Sequence, residues 1–299
     1  MLPRRSGARY VDRMAQSSST SSNRSKDIGD SVRFARFEGL SGLEIMSARW
    51  VEHSFAPHSH DFYAVSLNRG GYGAFHCRRE LHDAAPGTCN LIGPGELHTG
   101  QPVDDRGWSY HNLYIESTLM TALLESLDAA APAVLTFRAP LVRDPVLAAQ
   151  LRHLFTSLRS PLSLLHVETA LMSIIRRVAA EHVECARSLP VATARREPRA
   201  VYRVKEWLDV HAEENVSIRA LAELVGLSPH YLVRAFHRHV GVPPHRYQKL
   251  VRVNRARRLL AAGVPISQAA YQAGFYDQSH LNRCFKETMG VTPGHYVAA

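Results

Sequence analysis

The C-terminal third of the chain contains a near-copy of itself, and that constrains its fold more than anything else in it. Ile218, Ala222 and Gly226 recur 48 positions later as Ile266, Ala270 and Gly274. Leu232, Arg234, Phe236, Gly241, Val242, Pro244 and Tyr247 recur 49 positions later as Leu281, Arg283, Phe285, Gly290, Val291, Pro293 and Tyr296. The one-residue slip falls in a turn, where an insertion costs least. A repeat this short can only encode a small supersecondary unit, built twice.

Each copy has the anatomy of a helix-turn-helix. In the first, Ser217 caps a helix whose Ile218, Leu221, Ala222 and Val225 form one face, and Gly226 ends it. Glycine suits that place because the chain must turn sharply, often through positive φ. Leu227 plugs the angle, Ser228 caps the next helix, and Pro229 opens it. Leu232, Ala235, Phe236 and Val240 point inward, leaving His230, Tyr231, Val233, Arg234, His237 and Arg238 outside. The second copy turns at Gly274 with Phe275 as plug, restarts on Asp277, and presents Gln278, Ser279, Asn282, Arg283 and Lys286. The units are expected at 216–241 and 265–290. Between them HRYQKLVRVNRARRLLAA reads as one helix that fixes their separation. Its Arg252, Arg255 and Arg258 are phosphate contacts or surface arginines, with Arg252 read as a surface or ion-paired residue.

The outward residue types suit DNA. Arginine makes paired hydrogen bonds to guanine, Gln and Asn to adenine, and Lys and Ser reach phosphates. Charge agrees: the chain carries +9 overall, and residues 195–299 hold 16 Lys and Arg against 8 Asp and Glu. Residues 31–194 hold 14 against 16. A near-neutral middle joined to a basic end fits a sensor joined to a polyanion binder.

The rest divides by texture. Residues 1–30, including QSSSTSSNRSK, are expected to be a disordered tail, with Met14 a candidate start. Over 32–115, short apolar or alternating runs such as FYAVSLNRGGYGAFHC and WSYHNLYI lie between Gly, Pro and Asn breaks, predicting an antiparallel barrel or sandwich. From Leu119 the period turns helical. Leu164, Val167, Leu171, Ile174 and Val178 make a stripe that packs within the chain or against a second copy; Leu164, Leu171, Ile174 and Val178 are expected to serve a homodimer contact. SLPVATARREPR, at 188–199, reads as a linker. The last hundred or so residues are therefore expected to fold and bind DNA alone. Cys77, Cys89, Cys185 and Cys284 have no paired spacing and read as buried or incidental thiols in a reducing cytoplasm. No apolar run reaches membrane-helix length, and the N-terminus lacks a secretory signal's apolar core.

SIRALAELVGLSPHYLVRAFHRHVGVPPHRYQKLVRVNRARRLL, followed by PISQAAYQAGFYDQSHLNRCFKETMGVTPGHY, resembles the DNA-binding domain of the AraC/XylS family of bacterial regulators over about residues 200–297. The resemblance implies a transcription regulator, usually an activator. Base contacts carried over by position come from His230, Val233 and Arg234, and from Gln278, Ser279 and Arg283. Val233 can touch only a thymine methyl, and His237 stands where the family usually has Lys.

PHSHDFY and, about thirty residues on, GTCNLIGPGELHTG resemble the paired motifs of a cupin barrel. His58, His60 and His98 occupy metal-ligand positions, but the family's Glu is missing. The three imidazoles line an organic effector pocket together with Tyr63, or are hydrogen-bonded strand ends, or hold a metal as a three-histidine set; the pocket is the reading adopted, with no metal or cofactor. The whole is expected to be α+β and multidomain. A cupin-like antiparallel β-barrel with helices (31–187), serving effector binding and dimerisation, precedes an all-α double helix-turn-helix (200–299). Expected partners are double-stranded promoter DNA, a small-molecule effector, RNA polymerase and a second copy of the chain, with no membrane. The rival is a metal-dependent cupin enzyme fused to a DNA-binding anchor.

Overall fold

A computed structural model describes residues 29–37, 39–127, 135–158, 164–184 and 196–298. The expected tail up to residue 28, Cys185 and the linker up to residue 195 lie outside the described residues.

Strands fill the first part: β1 Ser31–Arg36, β2 Leu43–Trp50, β3 Phe55–His58, β4 Phe62–Gly71, β5 Gly73–Cys77, β6 Glu80–Ala84, β7 Cys89–Ile92, β8 His98–Pro102 and β9 Trp108–Glu116. Helix α1 (Ser117–Glu125), the short β10 (Thr136–Phe137) and β11 (Leu141–Val142), then α2 (Pro145–Ser157), α3 (Leu164–His182) and β12 (Val183–Glu184) complete it. The main strands form two antiparallel sheets, ordered β1-β2-β9-β4-β7-β11 and β3-β8-β5-β6. They are separate hydrogen-bonded sheets and not one closed ring.

The two-residue period of β2, β4 and β9 sorts their side chains to opposite faces. Met46, Trp50, Phe62, Trp108 and Tyr114 enter one core, facing the smaller sheet. Ile45, Tyr63, Val65, Leu113 and Ile115 enter another, covered by α1, α2 and α3. The apolar stripe of α3 is spent here: Val167, Leu171, Ile174 and Val178 are fully buried against this chain's own sheet and α2, and Leu164 is half-buried. That corrects the expected homodimer contact, because a stripe already covered has no apolar area left for a second copy. Cys77, Cys89 and Cys284 are free and buried, and burial pushes the first two thiols up to about 12.

The C-terminal part is helical: α4 Arg196–Val210, α5 Ile218–Val225, α6 Pro229–Val240, α7 Pro244–Ala261, α8 Ile266–Gln272, α9 Gln278–Met289 and α10 Pro293–Ala298. The last four residues of the expected linker thus already belong to α4. The local signals act as expected. Ser217, Ser228 and Asp277 accept from the backbone N–H groups of Ala220, Tyr231 and His280, and Gly226 and Gly274 turn at φ of +65° and +86°. Arg252 is a correction: it is buried, and its Nε donates to Ala212 O at 2.6 Å and its Nη2 to Glu214 O at 3.0 Å, tying α7 to the chain just beyond α4.

The two units are packed differently. The first has its own core, with Val204, Leu221, Leu232 and Phe236 at its centre. The second shares one with the sheets: Val253, Ala256, Phe275, Leu281, Phe285 and Tyr296 join Phe34, Trp50 and Phe62. The core of the second unit is therefore continuous with that of the sheets, whereas the first unit has a separate one.

Candidate functional site

Helices α6 and α9 are the second helices of the two units. Ser228, His230, Arg234 and Arg238 are exposed on or just before α6, with Tyr231 and Val233 half-buried. On α9, Gln278, Ser279, Arg283 and Lys286 are exposed and Asn282 is half-buried. Arg234 and Arg283, matched in the repeat, both point into solvent. Arg238 does not stand free: its Nη1 donates to Glu197 Oε1 at 3.0 Å, His239 pairs with the same oxygen at 2.9 Å, and Tyr231 donates to Glu197 Oε2. Those hydrogen bonds, the one from Tyr231 strongest, hold the Glu197 carboxyl below its ordinary range.

The C-terminal ends of both helices abut the sheet domain. A Cβ at Gly290 would lie 2.4 Å from Trp50 Cη2, and one at the matched Gly241 would lie 2.5 Å from Leu97 Cδ2. At Gly290, packed on the rigid indole of Trp50, only a residue without a side chain permits that approach.

Beside this junction lies a cavity between the sheets. His58 and His98 face each other across the β3–β8 pair, ring centroids 4.2 Å apart, and the His60 ring is 4.9 Å from that of His98. Phe55, Phe62, Phe75, Trp108 and Tyr114 supply aromatic walls. Three further lining residues come from the helical part: Asn254 of α7, and Thr288 and Met289 of α9. The sequence brought His58, His60 and His98 together correctly. Tyr63 is a correction, because the alternation along β4 sends Phe62 and Ala64 to the cavity and turns Tyr63 into the opposite core. There its Oη accepts from Leu135 N at 3.1 Å. Asn112, Trp108 and Tyr114 were not singled out by the sequence, although the alternation of WSYHNLYI placed them on one face.

Burial, then the neighbouring His98, pushes His58 and His60 well below the ordinary imidazole range; burial also lowers His98. All three are neutral near pH 7. Among the described residues no group of three or more His, Cys, Asp or Glu is placed to hold a metal ion.

A buried ionic cluster lies behind Phe62. Glu44 of β2 pairs with Arg36 at 2.8 Å and Arg257 of α7 at 3.4 Å, and accepts from Tyr296 of α10 at 2.7 Å. The Arg257 guanidinium lies 4.1 Å above the Phe62 ring. Burial opposes its charge, and Glu44 together with Tyr296, Asp61 and Tyr114 more than restores it. Arg258 adds a bridge to Asp61 at 3.1 Å. Neither Glu44 nor Arg257 was legible in the sequence as part of a site.

Residues 41–175 match the model of the AraC-like ligand binding domain, and residues 221–299 that of a helix-turn-helix domain. The uncharacterized HTH-type transcriptional regulator YbfI of Bacillus subtilis is 27% identical over 239 residues, 80% of this chain and 86% of YbfI. The HTH-type transcriptional activator RhaS of Salmonella schwarzengrund is 34% identical over 88 residues, 29% of this chain and 32% of RhaS. The fold is similar to that of ToxT from Vibrio cholerae, with a TM-score of 0.54 at 14% identity, covering 86% of this chain and 98% of ToxT. No described helix is long and apolar enough to cross a membrane. The chain belongs to the AraC/XylS family: it is a DNA-binding transcription regulator with a ligand-binding domain.

Proposed function

We infer that this AraC/XylS-family chain is a ligand-responsive activator whose effector touches both domains at once. The observation that carries this reading is the mixed lining of the cavity: His58, His60 and His98 from the sheets, Asn254 from α7, Thr288 and Met289 from α9. A molecule held there contacts the helix that spaces the two units and the end of the second recognition helix. Its binding energy can then bias how α9 is presented, which is what differential affinity for two states requires.

On DNA, α6 and α9 would enter successive major grooves, about 34 Å apart along one face of the duplex. Arg234 and Arg283 would read base edges with His230, Val233, Gln278, Ser279 and Asn282 beside them. Ser228, Tyr231, Arg238 and Lys286 lie nearer the groove walls. The ligand-binding part falls within residues 31–187 and the DNA-binding part within 196–299. The role is regulatory and not enzymatic, performed in the cytoplasm, with RNA polymerase and a second copy of the chain as protein partners. With the α3 stripe buried, Leu165, 71% exposed on that helix, is the apolar residue left for a second copy. Sedimentation of Leu165→Glu against the unaltered chain tests that contact.

Genome-wide mapping of bound sites, followed by footprinting on a recovered promoter, tests the reading. Two protected half-sites one helical turn apart are expected, with transcription rising on occupancy. A single protected groove, or equal binding to random DNA of the same length, would overturn it.

A further inference from the structure

Ser, Thr, Tyr and Asn side chains around the cavity can donate or accept hydrogen bonds, but its three imidazoles and two of its amide oxygens are free acceptors. The Nδ1 atoms of His58, His60 and His98 sit 3.0, 2.8 and 2.9 Å from the carbonyl oxygens of Ala56, Phe62 and Glu96. A carbonyl can only accept, so each Nδ1 carries the ring proton, and each Nε2 is left as a lone-pair acceptor. The side-chain oxygens of Asn112 and Asn254, residues 5% and 7% exposed, have no hydrogen-bond partner. Asn254 Nδ2 donates to Ser59 O at 3.3 Å, which fixes its oxygen as the free end. Among the described residues, none that lines the cavity is Asp, Glu, Lys or Arg.

We propose that the effector is an uncharged organic molecule carrying several O–H donors and one flat apolar face, a polyhydroxylated ring or a phenol. It is held by the Nε2 atoms of His58, His60 and His98 and the oxygens of Asn112 and Asn254, and it stacks against Trp108 and Phe62. The proposal rests on the cavity being the effector site. A carboxylate or phosphate would meet five acceptors and no cation to balance it, since the nearby Arg257 lies behind Phe62 with its charge taken by Glu44. An ammonium would find acceptors but no carboxylate to neutralise it, and the buried Arg257 would repel it. A plain hydrocarbon would leave buried acceptors unpaired, which is costlier than leaving them in water.

Isosteric probes on the unaltered chain, and then on two asparagine variants, test this. Thermal stabilisation and tryptophan fluorescence would be titrated with benzyl alcohol, catechol and myo-inositol, with benzoate and benzylamine as charged counterparts, and with zinc and nickel chloride. At least one hydroxylated probe is expected to bind saturably, about tenfold more tightly than either charged counterpart, and Asn112→Leu or Asn254→Leu to weaken it by about tenfold. The ligand class is overturned if a charged probe binds as well as its neutral isostere, if a metal binds through the histidines more tightly than any organic probe, if the Asn variants bind unchanged, or if no hydroxylated probe binds. Promoter occupancy measured alongside separates the two readings. A charged compound or metal that binds here and shifts occupancy sinks the ligand class and leaves the effector site standing. Hydroxylated probes that bind without ever shifting occupancy sink the effector reading alone.

Discussion

Tyr296 donates its phenolic hydrogen to Glu44 Oε2 at 2.7 Å, joining the last helix of the chain to its second strand. Its counterpart in the repeat, Tyr247, donates to Asp209 Oδ1 at 2.5 Å, within the helical part. The duplicated tyrosine thus does the same chemical job twice, once inside its own domain and once across the boundary.

The boundary should accordingly be sensitive at Glu44. Glu44→Gln leaves the buried Arg257 without its counter-charge and is expected to destabilise the chain by about 3 kcal/mol. Tyr296→Phe removes one hydrogen bond to a charged acceptor and should cost about 1.5–3 kcal/mol. Urea unfolding midpoints measure both; equal, negligible changes would mean that the cluster does not hold the junction.

A fragment spanning residues 196–298 should retain its first unit and lose order in its second. The core of α5 and α6 is supplied by α4 and α7, whereas α9 and α10 lean on Trp50 and Phe34. Hydrogen exchange should find amides of α6 protected in both fragment and full chain, and amides of α9 and α10 protected only in the full chain. Equal protection throughout would show that the second unit needs no sheet.

The exposed matched arginines should carry sequence discrimination. Arg234→Ala and Arg283→Ala are each expected to lose about 1–3 kcal/mol of specific binding, one per half-site, with random DNA scarcely affected. Lys286→Ala should weaken all sequences alike and lower the salt slope by about one unit. Binding to single-base variants at two salt concentrations distinguishes these outcomes.

Glu197 competes for a cation that DNA could use. With Arg238 and His239 on its carboxylate, Glu197→Gln should raise affinity for all DNA and steepen the salt dependence by about one unit. An unchanged slope would place Arg238 away from phosphates.

Stability should fall as the medium is acidified. His58, His60 and His98 have folded pKa values below the ordinary imidazole range. Between those values and about 6.5, the unfolded chain binds more protons, so stability declines as pH drops through that window. His53, Arg246 and Arg257 add to the disfavour, while Glu96 beside His98 opposes it. Urea midpoints at about pH 7.5 and about pH 5.5 should differ, and His98→Gln should shrink the difference.

What the sequence made legible was local. Ser217, Ser228 and Asp277 announce helix starts because a cap is written within three residues of what it binds. The three histidines were readable because two short motifs place them on neighbouring strands. Tyr63 was misplaced because a motif groups adjacent residues, whereas a strand sends them to opposite faces. The α3 stripe shows which residues are buried, but periodicity is silent on what buries them. Glu44 and Arg257, or Asn254 and Ser59, meet only after two domains dock, across roughly 200 residues of chain, and no spacing rule spans that.

Helix α7 joins the two helix-turn-helix units and also supplies Asn254 to the cavity wall. On the proposed function, effector recognition and promoter geometry are therefore written into a single rod. A chimera that grafts these helices onto another family member's sensor would carry away part of the binding wall, and the graft would answer to neither parent's effector. Selection for a new inducer at Asn254 would in the same stroke adjust which promoters respond, so inducer range and regulon should drift together in descendants of this chain.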